Sequence, residues 1–367
     1  MRILQISSAK NFGGGERHFV DLCRGLQIRG HEVFAALRPT NVWQERLDFL
    51  PKSNIFHVSI RNSFGILSAK RIADFVRENN ISIIHAHVAR DYIPASIACT
   101  LSSNTSFVLT RHVLFPLKPF NRFALKNLSK AIAVSTGVES ALQKVFPRQK
   151  IAVILNGIDV GDSSVTDLQS RGNEFRFLHS IPINLPLIGI VGELLPLKGQ
   201  RDFVLAANEI AKKFPDARFV VAGTDNTIDK RFRRELKRLV RVFRLDDRFL
   251  WLDWVEDTPP LFAALDIFVS ASHTESFGLA MLEAMSSGTV VVATETEGAK
   301  ELLPDNELLV PIHDPVALAD KICMLLEDSQ KREHLAEKGM CFARENFSLG
   351  RMISETEMVY RDICKDE

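Results

Sequence analysis

The sequence predicts an α/β protein of two Rossmann-like domains, each a parallel sheet covered by helices on both faces, with a ligand cleft between them. Three observations predict it. Short strand-like runs alternate with amphipathic helical stretches along the chain, the pattern of repeated βα units. The alternation breaks once, between Gly157 and Pro186, where Asp-Ser-Ser, Arg-Gly-Asn and two prolines interrupt it. At 367 residues the chain exceeds the size over which a single hydrophobic core keeps growing.

In the first half the strand-like runs are Arg2 to Ser7, His31 to Leu37, Asn54 to Ile60, Ile81 to His87, Ser106 to His112, Ala131 to Ser135 and Ile151 to Leu155. In the second half they are Leu187 to Val191, Ala217 to Ala222, Phe249 to Trp254, Ile267 to Ala271, Thr289 to Thr294 and Leu308 to Ile312. Domain boundaries follow at 1–165 and 180–347. Ligands of such sheets gather at the C-terminal ends of the strands, so the loops there are the places to look for chemistry.

A formal net charge of +1 and 46% hydrophobic residues suit a folded enzyme and argue against a nucleic-acid coat or a disordered chain. Cys23, Cys99, Cys323, Cys341 and Cys364 are scattered, without disulfide or zinc-ligand spacing, which fits a reducing cytoplasm. MRILQIS alternates like a first strand and has no signal-peptide apolar core, and the charge-free run Tyr92 to Thr110 is too rich in Ser, Thr and Asn to span a bilayer. Any membrane contact is then peripheral, at the inner face.

The most informative stretch is HTESFGLAMLEAMSSG, His273 to Gly288, following the strand-like DIFVSAS. A helix beginning after Gly278 and stopping at Gly288 puts Glu275 in the turn and Glu283 about five residues into the helix, roughly 7.5 Å along its axis. Backbone N–H groups of Phe277, Gly278 and Leu279 at that helix start form an anion site, and Gly278 admits a phosphate closely. One carboxylate is then available for sugar hydroxyls and the other for ribose. Spacing alone equally permits an ordinary crossover with two surface glutamates. Gly13, Gly14 and Gly15 precede another helix; they read as a second anion-binding turn or as a plain tight turn, and they do not form the dinucleotide pattern GxGxxG.

Lys198 and Arg201, in VGELLPLKGQR, follow the first strand of the second half. Two fixed cations there can neutralise a leaving diphosphate without a metal, although a lysine at a helix start is commonly just solvated. His85 and His87 share a strand face, but with no third ligand nearby a metal is not expected and pocket lining is the simpler use. His112, beside Arg111, either touches a transferred sugar or caps its strand. The basic helix Lys230 to Arg244 carries an apolar stripe of Phe232, Leu236, Leu239, Val240 and Phe243, so a packed helix with a solvated cationic face is favoured over RNA or membrane binding. Leu114 to Lys130 mixes Phe115, Phe120 and Phe123 with cations and is the better candidate for an anionic membrane surface or an acceptor.

With these pieces in place the chain resembles the retaining GT-B glycosyltransferases of the group 1, family 4 type, in which two Rossmann-like domains have parallel sheets facing each other across a cleft. The resemblance spans FGGGERHFVDLCRGLQIRGHEV, IIHAH, LTRH, AIAVSTGV, VILNGID, the KG of PLKG, VVAG, ESFGLAMLEAMSSGTVVVAT and EGAKELL. It implies a hexosyltransferase acting from a nucleotide-diphosphate sugar on a glycan or lipid-linked acceptor, with retention, no metal and no cofactor. It implies Glu275 on the donor sugar, Glu283 on the ribose, and Phe277 to Leu279, Gly13 to Gly15 and Lys198 on the diphosphate, with His112 near the transferred sugar. It also implies that ENFSLGRMISETEMVYRDI, within 345–363, forms last helices that cross back to the first domain. Glu193 stands where the family usually has Arg; Arg201, one turn beyond Lys198, is the expected substitute. A sugar-nucleotide epimerase and a non-catalytic sugar-nucleotide binder are the competing readings.

Overall fold

A computed structural model describes residues 1–60, 65–159, 164–303 and 306–365. The chain divides into two compact units, Met1–Gly157 with Leu349–Glu367, and Ile158–Ser348.

The first unit holds seven strands: β1 (Arg2–Ser7), β2 (Glu32–Leu37), β3 (Ile55–His57), β4 (Ile83–Ala86), β5 (Ser106–Arg111), β6 (Leu128–Ala133) and β7 (Ile151–Val153). They pair in parallel in the order β3-β2-β1-β4-β5-β6-β7. In β1 and β5 nearly every residue is buried, because helices cover both faces of the sheet. The second unit holds β8 (Leu187–Val191), β9 (Arg218–Ala222), β10 (Phe249–Leu252), β11 (Ile267–Ser270), β12 (Val290–Thr294) and β13 (Leu309–Val310). Their order is β10-β9-β8-β11-β12-β13, again parallel throughout. Both sheets are wound outward in two directions from their first strand, the Rossmann order, so each has a switch point beside that strand: β1/β4 in one and β8/β11 in the other.

The helix Gly14–Ile28 buries Phe19, Leu22, Cys23 and Leu26 on one face against the first sheet. Gly25 lies on that helix where an added Cβ would come within 2.0 Å of Ile353 Cδ1, so the Ile353 side chain of the helix Leu349–Lys365 packs directly on its backbone. The two are further joined by Glu357, which accepts from Arg29 Nη1 (2.9 Å) and lies 3.0 Å from His31 Nε2.

The stretch from Gly157 to Pro186, read from sequence as a connection, contains a helix, Val165–Leu178. Ser164 and Asp167 close its start as a reciprocal capping box. A Cβ at Gly172 would meet Ala263 O at 2.5 Å, and Arg176 donates to Ala264 O and to Asp266 Oδ2, so the helix belongs to the second unit. Its buried set, Leu168, Gly172, Phe175 and Arg176, includes a glycine and an arginine, which hides the amphipathic pattern.

The basic helix Arg231–Val242 packs through Phe232, Leu236 and Val240 and leaves Arg234, Lys237, Arg238 and Arg241 exposed. No helix among the described residues is long and apolar enough to cross a membrane.

Candidate active site

At the switch point of the second sheet, the loops after β8 and β11 are locked together through backbone. The turn Pro196–Lys198 ends at Gly199, with φ 68° and ψ 18°, and a Cβ there would lie 1.8 Å from Ala271 O. Only glycine permits this approach. His273 N–H then donates to Leu197 O over 2.8 Å. The result is that Lys198 Nζ donates to Glu275 Oε2 over 2.6 Å, with Ser272 Oγ 3.4 Å from the same oxygen.

The Glu275 loop is held from its other side by Gly298, whose N–H donates to Glu275 O over 2.9 Å. A Cβ at Gly298 would come within 2.6 Å of Phe277 N, which is the physical demand for glycine in EGAKELL. Phe277 is buried edge-on against Phe347. Gly278 adopts φ 99°, ψ 60° and opens the helix Leu279–Ser286, which has no side-chain cap, so its first N–H groups, at the positive end of the helix dipole, take no bond from the cap residue's side chain. Glu283 lies half-buried within that helix.

The structure therefore gathers Lys198, Glu275, Phe277, Gly278 and Leu279. It does not bring Arg201 to them: Arg201 Nη2 pairs with Glu235 Oε1 at 3.0 Å on an exposed surface. Glu193 is exposed too, its carboxylate accepting from Asn226 Nδ2 over 2.8 Å. Trp254 is exposed and donates to Glu256 over 2.8 Å.

In the first unit the helix after β1 begins at Gly14, so Gly14 and Gly15 lie in its first turn and only Gly13, in an extended conformation, precedes it. The turn is shorter than the three glycines suggest. Arg17 N–H is bonded to Gly13 O over 2.9 Å, and the N–H groups of Gly14 and Gly15 come before that bond. The missing side chain of Gly15 faces the His112 ring, with Cγ 3.6 Å from where its Cβ would be.

His112 stands among three more imidazoles. His18, His85 and His87 are buried, and His112 alone of the four is half-buried. The His18 and His112 rings are 4.8 Å apart, edge to face; those of His87 and His112 are 5.6 Å apart and nearly parallel, inclined by 20°. Burial lowers the pKa of all four, to about 4 for His18 and well below the usual range for His85, His87 and His112, so the cluster is neutral at pH 7. Asn156 comes near enough to His18 to oppose the effect of burial, but neither ring nitrogen of His18 has a partner at hydrogen-bond geometry among the described residues.

The sequence shows no third ligand near His85 and His87; the fold leaves His85 out and sets two other histidines beside His87. Ligand atoms of His18, His87 and His112 lie within 4.8 Å of one another, as do those of Asp202, His273 and His313 in the second unit. His18 is four residues into a helix, and nothing in its sequence position separates it from a surface residue. Asp91 was also not legible. Its carboxylate accepts from Ser8 N–H over 2.8 Å at the β1/β4 switch point, and burial raises its pKa to about 6.

Two doubly wound domains are the architecture of the GT-B glycosyltransferases, and one switch point here carries a lysine–glutamate pair and an uncapped, glycine-opened helix. Comparison with known proteins agrees. Residues 185–328 match the model of the glycosyl transferases group 1, and residues 12–162 that of glycosyltransferase family 4. The chain is 25% identical to the N-acetyl-alpha-D-glucosaminyl L-malate synthase of Bacillus anthracis over 99% of its own length and 97% of that protein's. It is 32% identical to the D-inositol 3-phosphate glycosyltransferase of Corynebacterium urealyticum, over 72% of this chain and 68% of the other. The crystal structure of a glycosyltransferase from Rickettsia africae superposes with a TM-score of 0.87 at 25% identity, covering 100% of this chain and 99% of that one. The chain belongs to the group 1, family 4 glycosyltransferases.

Proposed function

We propose that this glycosyltransferase moves a hexose from a nucleotide-diphosphate sugar to a glycan or lipid-linked acceptor, with retention of anomeric configuration and without a bound metal. The observation that carries the reading is the Lys198–Glu275 pair beside the uncapped helix at Gly278.

Expelling a nucleoside diphosphate develops negative charge on oxygen. A fixed ammonium and helix-end N–H groups stabilise that charge without reorganising, which is among the largest catalytic terms available. In this reading Lys198 and the N–H groups of Phe277, Gly278 and Leu279 take the diphosphate, Glu275 the donor-sugar hydroxyls and Glu283 the ribose. In the first unit, the Gly13 to Gly15 backbone is assigned to phosphate and His112 to the transferred sugar. Retention is assigned to front-face attack through an oxocarbenium-like state, the leaving phosphate oxygen accepting the acceptor's proton. Arg201 is given no phosphate role, because Glu235 already holds it.

The test is turnover of a panel of UDP-, GDP- and ADP-sugars over a panel of glycan and lipid-linked acceptors, with and without chelator, followed by NMR of the product anomer. Chelator-insensitive transfer giving the donor's own anomeric configuration is the expected result. An altered sugar still attached to its nucleotide, formed without acceptor, would make the protein an epimerase.

A peripheral contact with anionic membrane is the second part of the reading. It is supported by Phe115, Phe120 and Phe123, exposed by 63%, 41% and 78%, among the exposed cations Lys118, Arg122 and Lys126. Co-sedimentation with anionic but not with neutral vesicles, lost in Phe115→Ser/Phe123→Ser, is the expected outcome; equal recovery with both vesicle types would remove it.

A further inference from the structure

Behind His112 a chain of hydrogen bonds runs through the first unit. His112 Nε2 lies 3.4 Å from His87 Nδ1, and His87 Nε2 lies 2.7 Å from Gln5 Oε1. Gln5 Nε2 lies 3.1 Å from the Tyr360 hydroxyl, which lies 2.5 Å from His85 Nδ1; His85 Nε2 lies 2.7 Å from Thr110 Oγ1. Gln5 is on β1, His85 on β4 with His87 just past its end, Thr110 on β5 with His112 just past its end, and Tyr360 on the helix Leu349–Lys365. Gln5, His85, Thr110 and Tyr360 are fully buried and His87 nearly so.

The chain has one polarity. An amide oxygen only accepts, so His87, neutral in this buried setting, carries its single ring proton on Nε2 and its Nδ1 is a bare acceptor. His112 must then donate through Nε2–H, which leaves its Nδ1 unprotonated. On the far side the Gln5 amide donates to the Tyr360 hydroxyl, the hydroxyl to His85 Nδ1, and His85 Nε2–H to Thr110. Reversing the His112–His87–Gln5 links requires the Gln5 amide to turn and the ring protons of both histidines to shift with it, because each neutral ring has one donor and one acceptor to offer.

The geometry points to Gln5 and Tyr360 as positioning residues that fix His112 as its Nε2–H tautomer and hold Nδ1 as a hydrogen-bond acceptor for a hydroxyl of the bound sugar. This rests on, and deepens, the reading in which His112 meets the transferred sugar. It also sets the chain against a metal held through His112 Nε2, since a protonated ring nitrogen cannot ligate.

The experiment is a two-bond ¹H–¹⁵N spectrum of the full chain labelled at histidine nitrogen, assigned with single His→Gln variants, at neutral pH without ligand. His85, His87 and His112 are expected as Nε2–H tautomers. Tyr360→Phe, which keeps the ring and deletes the hydroxyl, is expected to mix the His112 tautomers and to lower kcat on the order of tenfold with donor KM little changed. Gln5→Glu retains an acceptor for His87 Nε2–H and should keep the His112 tautomer, whereas Gln5→Leu should lose it. An Nδ1–H tautomer at His112 in the unmodified protein, or stoichiometric zinc uptake that strips its Nε2 proton, overturns the proposal. So does an unchanged His112 tautomer in both Tyr360→Phe and Gln5→Leu. If instead the spectra hold and His112→Ala turns over at the normal rate, the sugar contact fails while the hydrogen-bond chain stands.

Discussion

Lys198 Nζ donates to Glu275 Oε2 over 2.6 Å, and the two residues come from loops that follow β8 and β11, adjacent strands at the switch point of the second sheet. The pair is oriented by backbone on both sides, so neither side chain has to search for its position. Lys198→Ala should lower kcat by about 10²–10³-fold, the loss that follows removal of one preorganised charge-stabilising group. Lys198→Arg should recover only part of it, since a planar guanidinium does not present a point charge in the same place. Steady-state kinetics with the preferred donor checks both.

Arg201→Ala should change turnover by no more than about threefold, because its ion pair with Glu235 is exposed and such pairs contribute about 0–1 kcal/mol. Loss of activity comparable to Lys198→Ala would return Arg201 to the diphosphate and show that the Glu235 pair breaks when donor binds.

Gly199→Ala is expected to cost at least about 2 kcal/mol of stability in the second unit, combining a left-handed φ with a Cβ driven onto Ala271 O. Relief of that clash separates the 196–199 turn from 271–273, so donor affinity should fall with stability. Thermal melting and donor titration on the same preparation test the coupling.

Asp91 gives a pH signature. Its folded-state pKa, raised by burial to about 6 from 3.8, means that the folded chain holds this proton where the unfolded chain has released it. The proton's contribution is therefore present below pH 4 and is lost as pH rises through 6, about 3 kcal/mol in all by linkage. Asp91→Asn keeps an acceptor for Ser8 N–H and should flatten the stability profile between pH 4 and 6. A profile that matches the unmodified protein over that interval counts against the shift.

Glu357 acts in the opposite sense. Hydrogen bonds from Arg361, and then from Arg29 and His31, hold its carboxyl at about 2, below the ordinary 4.5. Its contribution is present above pH 4.5 and lost as pH falls toward 2. Glu357→Gln should therefore be less stable than the unmodified chain near neutrality and converge with it in acid, as chemical denaturation at several pH values would show.

Much of the fold is legible along the chain. Each of the thirteen strand-like runs holds a strand: Arg2 to Ser7 and Leu187 to Val191 keep both ends, most others are trimmed by one to a few residues, as Phe249 to Trp254 is at Leu252, and Ala131 to Ser135 belongs to a strand that starts earlier, at Leu128. Buried parallel strands announce themselves as short apolar runs because helices cover both their faces. The helix Val165–Leu178 does not, since its buried face includes Gly172 and Arg176, and those make sense only against Ala263, Ala264 and Asp266. Glu275 in a turn, Gly278 at a helix start and Glu283 inside that helix all follow from local pattern, as does Lys198 after β8.

What the sequence alone determined is the alternation of strands and helices, the presence of two sheets and the stretch where donor-binding chemistry is to be sought. These depend on residues near one another in the chain, whose periodicity and turn chemistry act locally. Which cations reach Glu275 was decided only by tertiary structure: Lys198 does so because Gly199 backs onto Ala271, while Arg201, three residues on, points to Glu235. The histidine cluster was decided there too, for Gln5 and Tyr360 are 355 positions apart and meet only once the helix Leu349–Lys365 lies against the first unit, with Ile353 over Gly25. Local pattern carries no information about such contacts, because the energy that forms them is that of buried polar groups finding partners in a packed interior.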